Sequence, residues 1–262
     1  AIVGSAGDDD LGDGSGSAYI YEYDPSSNTW LETKLTASDG TDSDGFGVSV
    51  AISGRTVVVG AVQATGNVGD SGKAYIFQYD PASDGWLETI LRASDGAADD
   101  GFGYSVAISG NRVVVGVPWD DGPFDSGDGS AYLYEYDPSS DTWLETKLNA
   151  NPQSWRENYG NSVDIDGSTV VVGALERNNG KGSVFVYQYD PAGDTWLETQ
   201  IEASDKEDGD AFGIAVSIDG GMLLVGASGD DDDGSVSGSA YIYRYDPSSD
   251  TWAEQKLFAG GG

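Results

Sequence analysis

The 262-residue chain contains no cysteine and no histidine. The first absence excludes disulfides and leaves the redox compartment unfixed. The second removes the usual general base and the commonest zinc ligand. Positive charge is also scarce, with 12 Lys and Arg against 45 Asp and Glu and a formal net charge of −33. A chain so charged has no basic stripe for phosphates, so no nucleic acid is expected as partner. Anionic membrane surfaces are disfavoured on the same ground. No apolar run reaches the length of a membrane span, so no direct membrane insertion is expected. The sequence opens at Ala1 with neither Met nor a signal pattern, as a mature or trimmed form would, and it has no Asn-x-Ser/Thr acceptor.

The acidic residues are unevenly divided, 34 Asp to 11 Glu. Asp forms turns and is a short-armed ligand for hard cations, so the bias points to loops. The turn "YDPSSDTWLET" at 136–146 has close copies at 23–33, 79–89, 189–199 and 245–254. Its Trp residues, Trp30, Trp86, Trp143, Trp196 and Trp252, follow one another at 56, 57, 53 and 56 residues. "GFGVSVAIS" (45–53) and "TVVVGA" (56–61) recur at the same period. Each unit predicts four short strands: one of alternating Val or Ile with small residues, one apolar throughout, one Tyr-rich, and one alternating apolar with charged.

Four-stranded units of this length repeated in series predict a β-propeller, here of five four-stranded blades in one all-β domain. The blades fall at about 1–37, 45–93, 101–150, 158–203 and 211–259. "AIVGSA" (1–6) aligns with a second strand, so the first blade is expected to lack its own innermost strand. Ring closure then has three options: an incomplete sequence, an open ring, or a strand from a neighbouring chain. The "YDPSSDTW" corner between third and fourth strands reads as architecture. Asp and Pro start the turn, and Trp anchors the fourth strand against the neighbouring sheet.

The paired "FG" and "VVVGA" signatures resemble the FG-GAP repeats of integrin-like propellers across nearly the whole chain, and the corner resembles that of kelch propellers. The resemblance implies adhesion or ligand binding outside the cell or at its surface. Integrin-type repeats carry a calcium loop between the first two strands. The segments here, "SGRT" (53–56), "SGNR" (109–112), "DGST" (166–169) and "DGGM" (219–222), are too short for one.

The variable loops, 2–3 within a blade and 4–1 between blades, should emerge on one edge and make it intensely acidic. Crowded carboxylates on sharp Gly turns predict calcium as cofactor. The candidate ligands are Asp8, Asp9, Asp10, Asp13, Asp39, Asp42, Asp44, Asp95, Asp99, Asp100, Asp120, Asp121, Asp125, Asp128, Asp205, Asp208, Asp210, Asp230, Asp231 and Asp232. The fourth unit departs from the pattern. It has no Asp in "NANPQSWRENYG" (149–160), and Arg156, Arg177 and Lys181 make it the least negative sector. Trp119, in the 2–3 loop of the third unit, and Trp155, in the 4–1 loop that follows, are the two Trp outside the repeat. With Phe124, Arg156, Tyr159 and Arg177 they form a candidate aromatic ligand patch.

An enzyme of this composition would be confined to carboxylate-pair chemistry such as glycoside hydrolysis. Only the fourth unit offers two acids on a predicted first strand, Asp164 and Asp166, and near-identical units argue against a single catalytic centre. The expected function is a non-enzymatic extracellular binding or adhesion propeller with a protein or glycan ligand on the acidic edge. Alternatives are a multivalent carbohydrate-binding lectin and a structural subunit of an extracellular assembly, with self-association through the incomplete first blade.

Overall fold

The computed structural model describes residues 1–121, 127–151, 157–231, 234 and 237–257. They form five antiparallel sheets in chain order. Sheet I has three strands, β1 (Ile2–Ser5), β2 (Ser17–Asp24) and β3 (Thr29–Leu35). Sheet II holds β4 (Phe46–Ser53), β5 (Thr56–Ala61), β6 (Lys73–Asp80) and β7 (Gly85–Leu91). Sheet III holds β8 (Ser105–Ser109), β9 (Arg112–Val117), β10 (Ser130–Asp137) and β11 (Thr142–Leu148). Sheet IV holds β12 (Tyr159–Asp166), β13 (Thr169–Ala174), β14 (Ser183–Asp190) and β15 (Thr195–Ile201). Sheet V holds β16 (Phe212–Asp219), β17 (Met222–Ala227), β18 (Ser239–Asp246) and β19 (Thr251–Leu257). One four-residue helical turn, α1 (Arg177–Gly180), interrupts the all-β pattern; its Asn178 and Asn179 have φ of 56° and 65°.

The sheets stack face to face in propeller-like fashion, first strands adjoining: β1 on β4, β4 on β8, β8 on β12 and β12 on β16. The core is four separate inter-sheet layers. Between sheets II and III, for example, Val58, Ala74, Ile76 and Leu91 meet Phe102, Val113, Val115 and Tyr132. This explains the unbroken apolar run of each second strand. Val57, Val58 and Val59 are all buried because odd and even positions face different neighbouring sheets.

The aromatic–Gly pair is the key to each layer. Phe46, Phe102, Tyr159 and Phe212 insert into the layer shared with the preceding sheet and are at most 1 % exposed. The backbone amide of each donates to that sheet: Phe46 to Ser15 O at 3.0 Å, Phe102 to Ser71 O at 2.9 Å, Tyr159 to Asp128 O at 3.2 Å and Phe212 to Lys181 O at 3.1 Å. The following glycine carbonyls sit against Gly4, Gly60, Gly116 and Gly173, so closely that a Cβ on any of these four would collide with backbone. Glycine on both sides is what lets the sheets approach.

The repeated corner is a hydrogen-bonded unit. Asp24 accepts from Ser26 N at 2.9 Å, and the turn closes through Asn28 at φ 55°, whose side chain accepts from Tyr23 Oη at 2.7 Å. Asp84, Asp141, Asp194 and Asp250 repeat that left-handed position. Each Trp packs on the corner Tyr, as Trp143 does on Tyr136 with ring centroids 5.4 Å apart. Trp86, Trp143, Trp196 and Trp252 also pack against the layer shared with the preceding sheet. Trp30, on sheet I, is 61 % exposed.

The two outer faces of the stack differ from the four inner layers. Leu224 on the forward face of sheet V is 44 % exposed, and Val3 on the rear face of sheet I is 53 % exposed. The counterparts of Leu224 (Val58, Val114 and Val171) and of Val3 (Val59) are fully buried.

Candidate binding face

The 2–3 and 4–1 loops gather on one edge of the sheets, and a repeated cassette organises their carboxylates. In sheet III, Asp120 accepts from Ser130 Oγ at 2.5 Å and pairs with Lys147 Nζ at 2.7 Å. Asp95, from the loop joining sheets II and III, accepts from Tyr132 Oη at 2.5 Å and from the same ammonium at 2.7 Å. Sheet V repeats the set: Asp230 and Asp205 take Tyr241 Oη at 2.7 and 2.9 Å and Lys256 Nζ at 2.7 and 2.8 Å. In sheet I, Asp8 accepts from Ser17, Tyr19 and Lys34 at 2.7, 2.8 and 2.9 Å. Sheet II rewires it. Ala64 and Ile90 stand where sheets I, III and V have Asp and Lys, and Lys73 and Tyr75 hold Asp39 at 2.7 and 2.8 Å.

These contacts set the charge state. The Ser17 hydroxyl, followed by Lys34 and Tyr19, holds Asp8 well below the usual carboxylate range. Burial works against ionisation of Asp39, Asp95 and Asp205, yet Lys73, Lys147 and Lys256 bring all three below their ordinary value. Ammonium and phenol groups thus occupy the positions around these carboxylates that a bound cation would use.

A second set of acids closes the 4–1 loops from within. Asp44, Asp100 and Asp210 are buried and accept from the amides of Thr41, Ala97 and Glu207 at 2.7, 2.5 and 2.6 Å. Burial, reinforced by Asp120 and Asp121 and opposed by the Ala97 amide, pushes Asp100 up to about 6. Asp210 is raised by burial and by Asp230, Asp205 and Asp231.

Asp9, Asp10, Asp13, Asp42, Asp99, Asp121, Asp208 and Asp231 are exposed, and Asp128 is buried. Asp125 and Asp232 lie outside the described residues. Among the described residues no group of three or more carboxylates is placed to hold a metal ion. The carboxylates are on the edge that the loop pattern predicts, but they are spread along it or engaged by Lys, Tyr and amide donors.

Two members of the expected aromatic patch are interior. Tyr159 takes the position of the layer-filling Phe, 1 % exposed, with its ring on Phe185 and its hydroxyl 2.6 Å from Tyr187 Oη. Arg177 stands where sheets I, III and V have Asp8, Asp120 and Asp230. It is 5 % exposed, paired with buried Glu157, and lies over the Phe185 ring at 5.1 Å. Sheet IV therefore inverts the cassette: Arg replaces Asp, Phe185 replaces Tyr and Gln200 replaces Lys. The change of charge in the fourth unit is an internal rewiring, so neither residue is offered to an external ligand. Phe124, Trp155 and Arg156 lie outside the described residues.

Trp119 is on the surface, 46 % exposed. Its indole lies on Gly101, where a Cβ would strike the ring, and Tyr104 meets it edge-on at 5.3 Å and 72°. It walls a cleft of about 320 Å3 between sheets II and III, lined also by Val62, Gln63, Asp70, Asp99 and Gly101. Asp70 was not among the sequence candidates because it stands alone in "NVGDSG" (67–72), away from the Asp runs. Its signal is spatial. At the opposite edge a groove of about 380 Å3 lies beside Trp30 and Trp86, and one of about 540 Å3 runs along β11 from Trp196 to Lys147 and Asn149. They are built from the repeated corner aromatics and so belong to the architecture. The acids of β12 are structural too: Asp164 accepts from Ile218 N at 2.8 Å and Asp166 from Gly220 N at 2.9 Å, tying sheet IV to sheet V.

The FG-GAP repeat model matches four stretches, residues 30–77, 86–134, 143–187 and 196–243. Each stretch begins at a corner Trp and ends within the next sheet's third strand, so one family repeat spans one inter-sheet layer. No curated protein matches the chain.

Proposed function

We propose, from the premise that this chain belongs to the FG-GAP repeat family, that it is a non-enzymatic binding scaffold acting outside the cell or at its surface, with the acidic loop edge as its ligand face. The observation that carries this reading is the Trp119 cleft. An exposed indole stands beside two carboxylates, Asp70 and Asp99, on an edge crowded with further Asp. A Lys or Arg side chain laid against the indole face with its charge toward Asp70 and Asp99 suits that combination, with cation–π attraction and ion pairing acting together. The ligand of this reading is a protein with basic side chains, steered to the edge by the net charge of −33. Calcium enters as a counter-ion drawing exposed carboxylates such as Asp9, Asp13 and Asp42 together, since no ready cage is formed among the described residues.

Two observations support the scaffold reading over catalysis. The chain lacks His and Cys. The two acids nearest to a catalytic position, Asp164 and Asp166, are spent on backbone amides. A placement outside the cell rests on family membership; among the described residues no helix is long and apolar enough to cross a membrane.

The test is calorimetric titration with a tetralysine peptide at rising salt, on the parent chain and on Trp119→Ala and Asp99→Asn. Saturable binding that weakens with salt and falls about tenfold or more in Trp119→Ala is expected. Absence of binding at low salt, or equal affinity in all three proteins, would overturn the assignment. A neutral oligosaccharide bound at the same cleft without salt dependence would move the ligand to the glycan class.

A further inference from the structure

The acidic edge repeats a second feature besides its carboxylates. The tips of two successive 2–3 loops share the sequence apolar–Gly–Asp, as Leu11-Gly12-Asp13 in sheet I and Val68-Gly69-Asp70 in sheet II. The two tips are seated alike. A Cβ on Gly12 would meet Asp42 and one on Gly69 would meet Ala98, and each of these neighbours stands two residues before a buried loop-closing acid, Asp44 or Asp100. Leu11 and Val68 are 47 % and 56 % exposed, with Asp13 and Asp70 exposed beside them. Sheet II packs between sheets I and III, so the exposure of Val68 belongs to its position at the loop tip and not to an end of the stack. The ammonium groups of this edge are engaged elsewhere, Lys34 with Asp8 and Asp10, and Lys147 with Asp95 and Asp120. Asp70 also lines the Trp119 cleft, which places Val68 two residues from that cleft and Leu11 one sheet further along.

We propose, resting on the reading of the Trp119 cleft above, that the ligand is a segment of a partner protein in the polyproline II conformation, with a basic and an apolar side chain each recurring every third residue. The spacing of the sheets sets that period. Packed sheets stand about 10 Å apart. A polyproline II segment rises about 3.1 Å per residue with three residues per turn, so equivalent side chains return to one side about every 9 Å. A β-strand returns them about every 7 Å and falls out of step with the loop tips. The basic side chain of one turn lies against Trp119 with its charge toward Asp70 and Asp99, and that of the turn one sheet along meets Asp13 and Asp42. The apolar side chains of the same turns cover Val68 and Leu11. Charge complementarity selects this occupant. A neutral sugar would leave the carboxylates unpaired, and a second copy of this chain, at −33, would bring like charge to the edge. Sheet IV bounds the site, because its corresponding loop carries Asn178 and Asn179 and no apolar residue at the tip.

The test compares two labelled peptides of one composition, four repeats of Lys-Leu-Pro and a block peptide of four Lys, four Leu and four Pro, titrated with the intact chain and followed by fluorescence anisotropy. The periodic peptide is expected to bind about tenfold or more tightly than the block peptide. Leu11→Ser and Val68→Ser should each reduce that preference and keep the parent unfolding temperature, since both side chains stand at exposed loop tips. Equal affinity for the two peptides overturns this inference and leaves the reading of the cleft, which needs only a basic side chain. Binding of neither peptide removes both. A preference undiminished in the Leu11→Ser, Val68→Ser double variant, or tighter binding by a helical peptide with Lys and Leu at seven-residue spacing, would likewise overturn the proposal.

Discussion

At the scale of single residues, the carboxylates divide into those that hold the fold and those that face solvent. The corner acids belong to the first group. Asp24 is brought down to about 2, first by the Ser26 hydroxyl and then by Ser27, and Asp80, Asp137 and Asp246 are lowered by the same kind of Ser contact. A folded-state value below the unfolded one contributes stability that is present above the unfolded value, near 4, and is lost as pH falls toward the folded value. The unfolding temperature is therefore expected to fall steeply between about pH 4 and pH 2 in a pH series by calorimetry. Asp100 has the opposite sign. Its value of about 6 lies above the ordinary one, so the native state holds its proton more tightly, and stability declines as pH rises from about 4 to about 6. Asp100→Asn keeps an acceptor for the Ala97 amide and removes the buried charge. It should stabilise the protein by about 1 kcal/mol at pH 7 and by almost nothing at pH 4, read as the difference between two denaturant titrations. None of this division was legible in the sequence, where Asp8, Asp42 and Asp100 look alike. Only the folded chain shows that one meets Lys34, one faces water and one is buried against an amide.

At the scale of elements, each strand's role follows from which faces it buries. Periodicity was enough to place the strands, the corner and the register of Trp and Tyr, because period-two alternation and turn chemistry act locally. The role of the aromatic–glycine strand was less accessible. Its repetition is plain, but the reason lies in contacts between residues some 55 apart, such as Ser105 Oγ with Gly160 O. Gly60→Ala and Gly226→Ala separate the two cases. The first places a methyl against the Gly103 carbonyl and should cost at least about 2 kcal/mol, while the second should be within about 0.5 kcal/mol of the parent in the same urea titration. The fourth sheet shows the limit of composition. The sequence offers Arg156 and Arg177 as members of a ligand patch, yet Arg177 is buried opposite Glu157. Glu157→Gln should destabilise the chain by about 3 kcal/mol, because a buried guanidinium then loses its carboxylate. A neutral result would return Arg177 to the list of surface groups.

At the scale of the whole molecule, one interface repeated four times builds the stack. A clasp between an outer strand and the loop that enters its sheet recurs in three of these interfaces. Glu88 takes Ser38 Oγ at 2.6 Å, Glu145 takes Ser94 Oγ at 2.5 Å and Glu254 takes Ser204 Oγ at 2.6 Å. The five-unit count was legible from the repeats, and the structure has five sheets, the first of three strands and the others of four. What repetition could not show is that Leu224 on sheet V and Val3 and Trp30 on sheet I are exposed. In a quasi-one-dimensional stack, stability is a sum of units and nearest-neighbour layers, so a sheet covered on one face opens more readily than one covered on both. Hydrogen exchange by mass spectrometry reads this directly. The account predicts that amides of β17 and β18 exchange faster than those of β9, β10, β13 and β14. Protection of β17 and β18 equal to that of the inner sheets would contradict it.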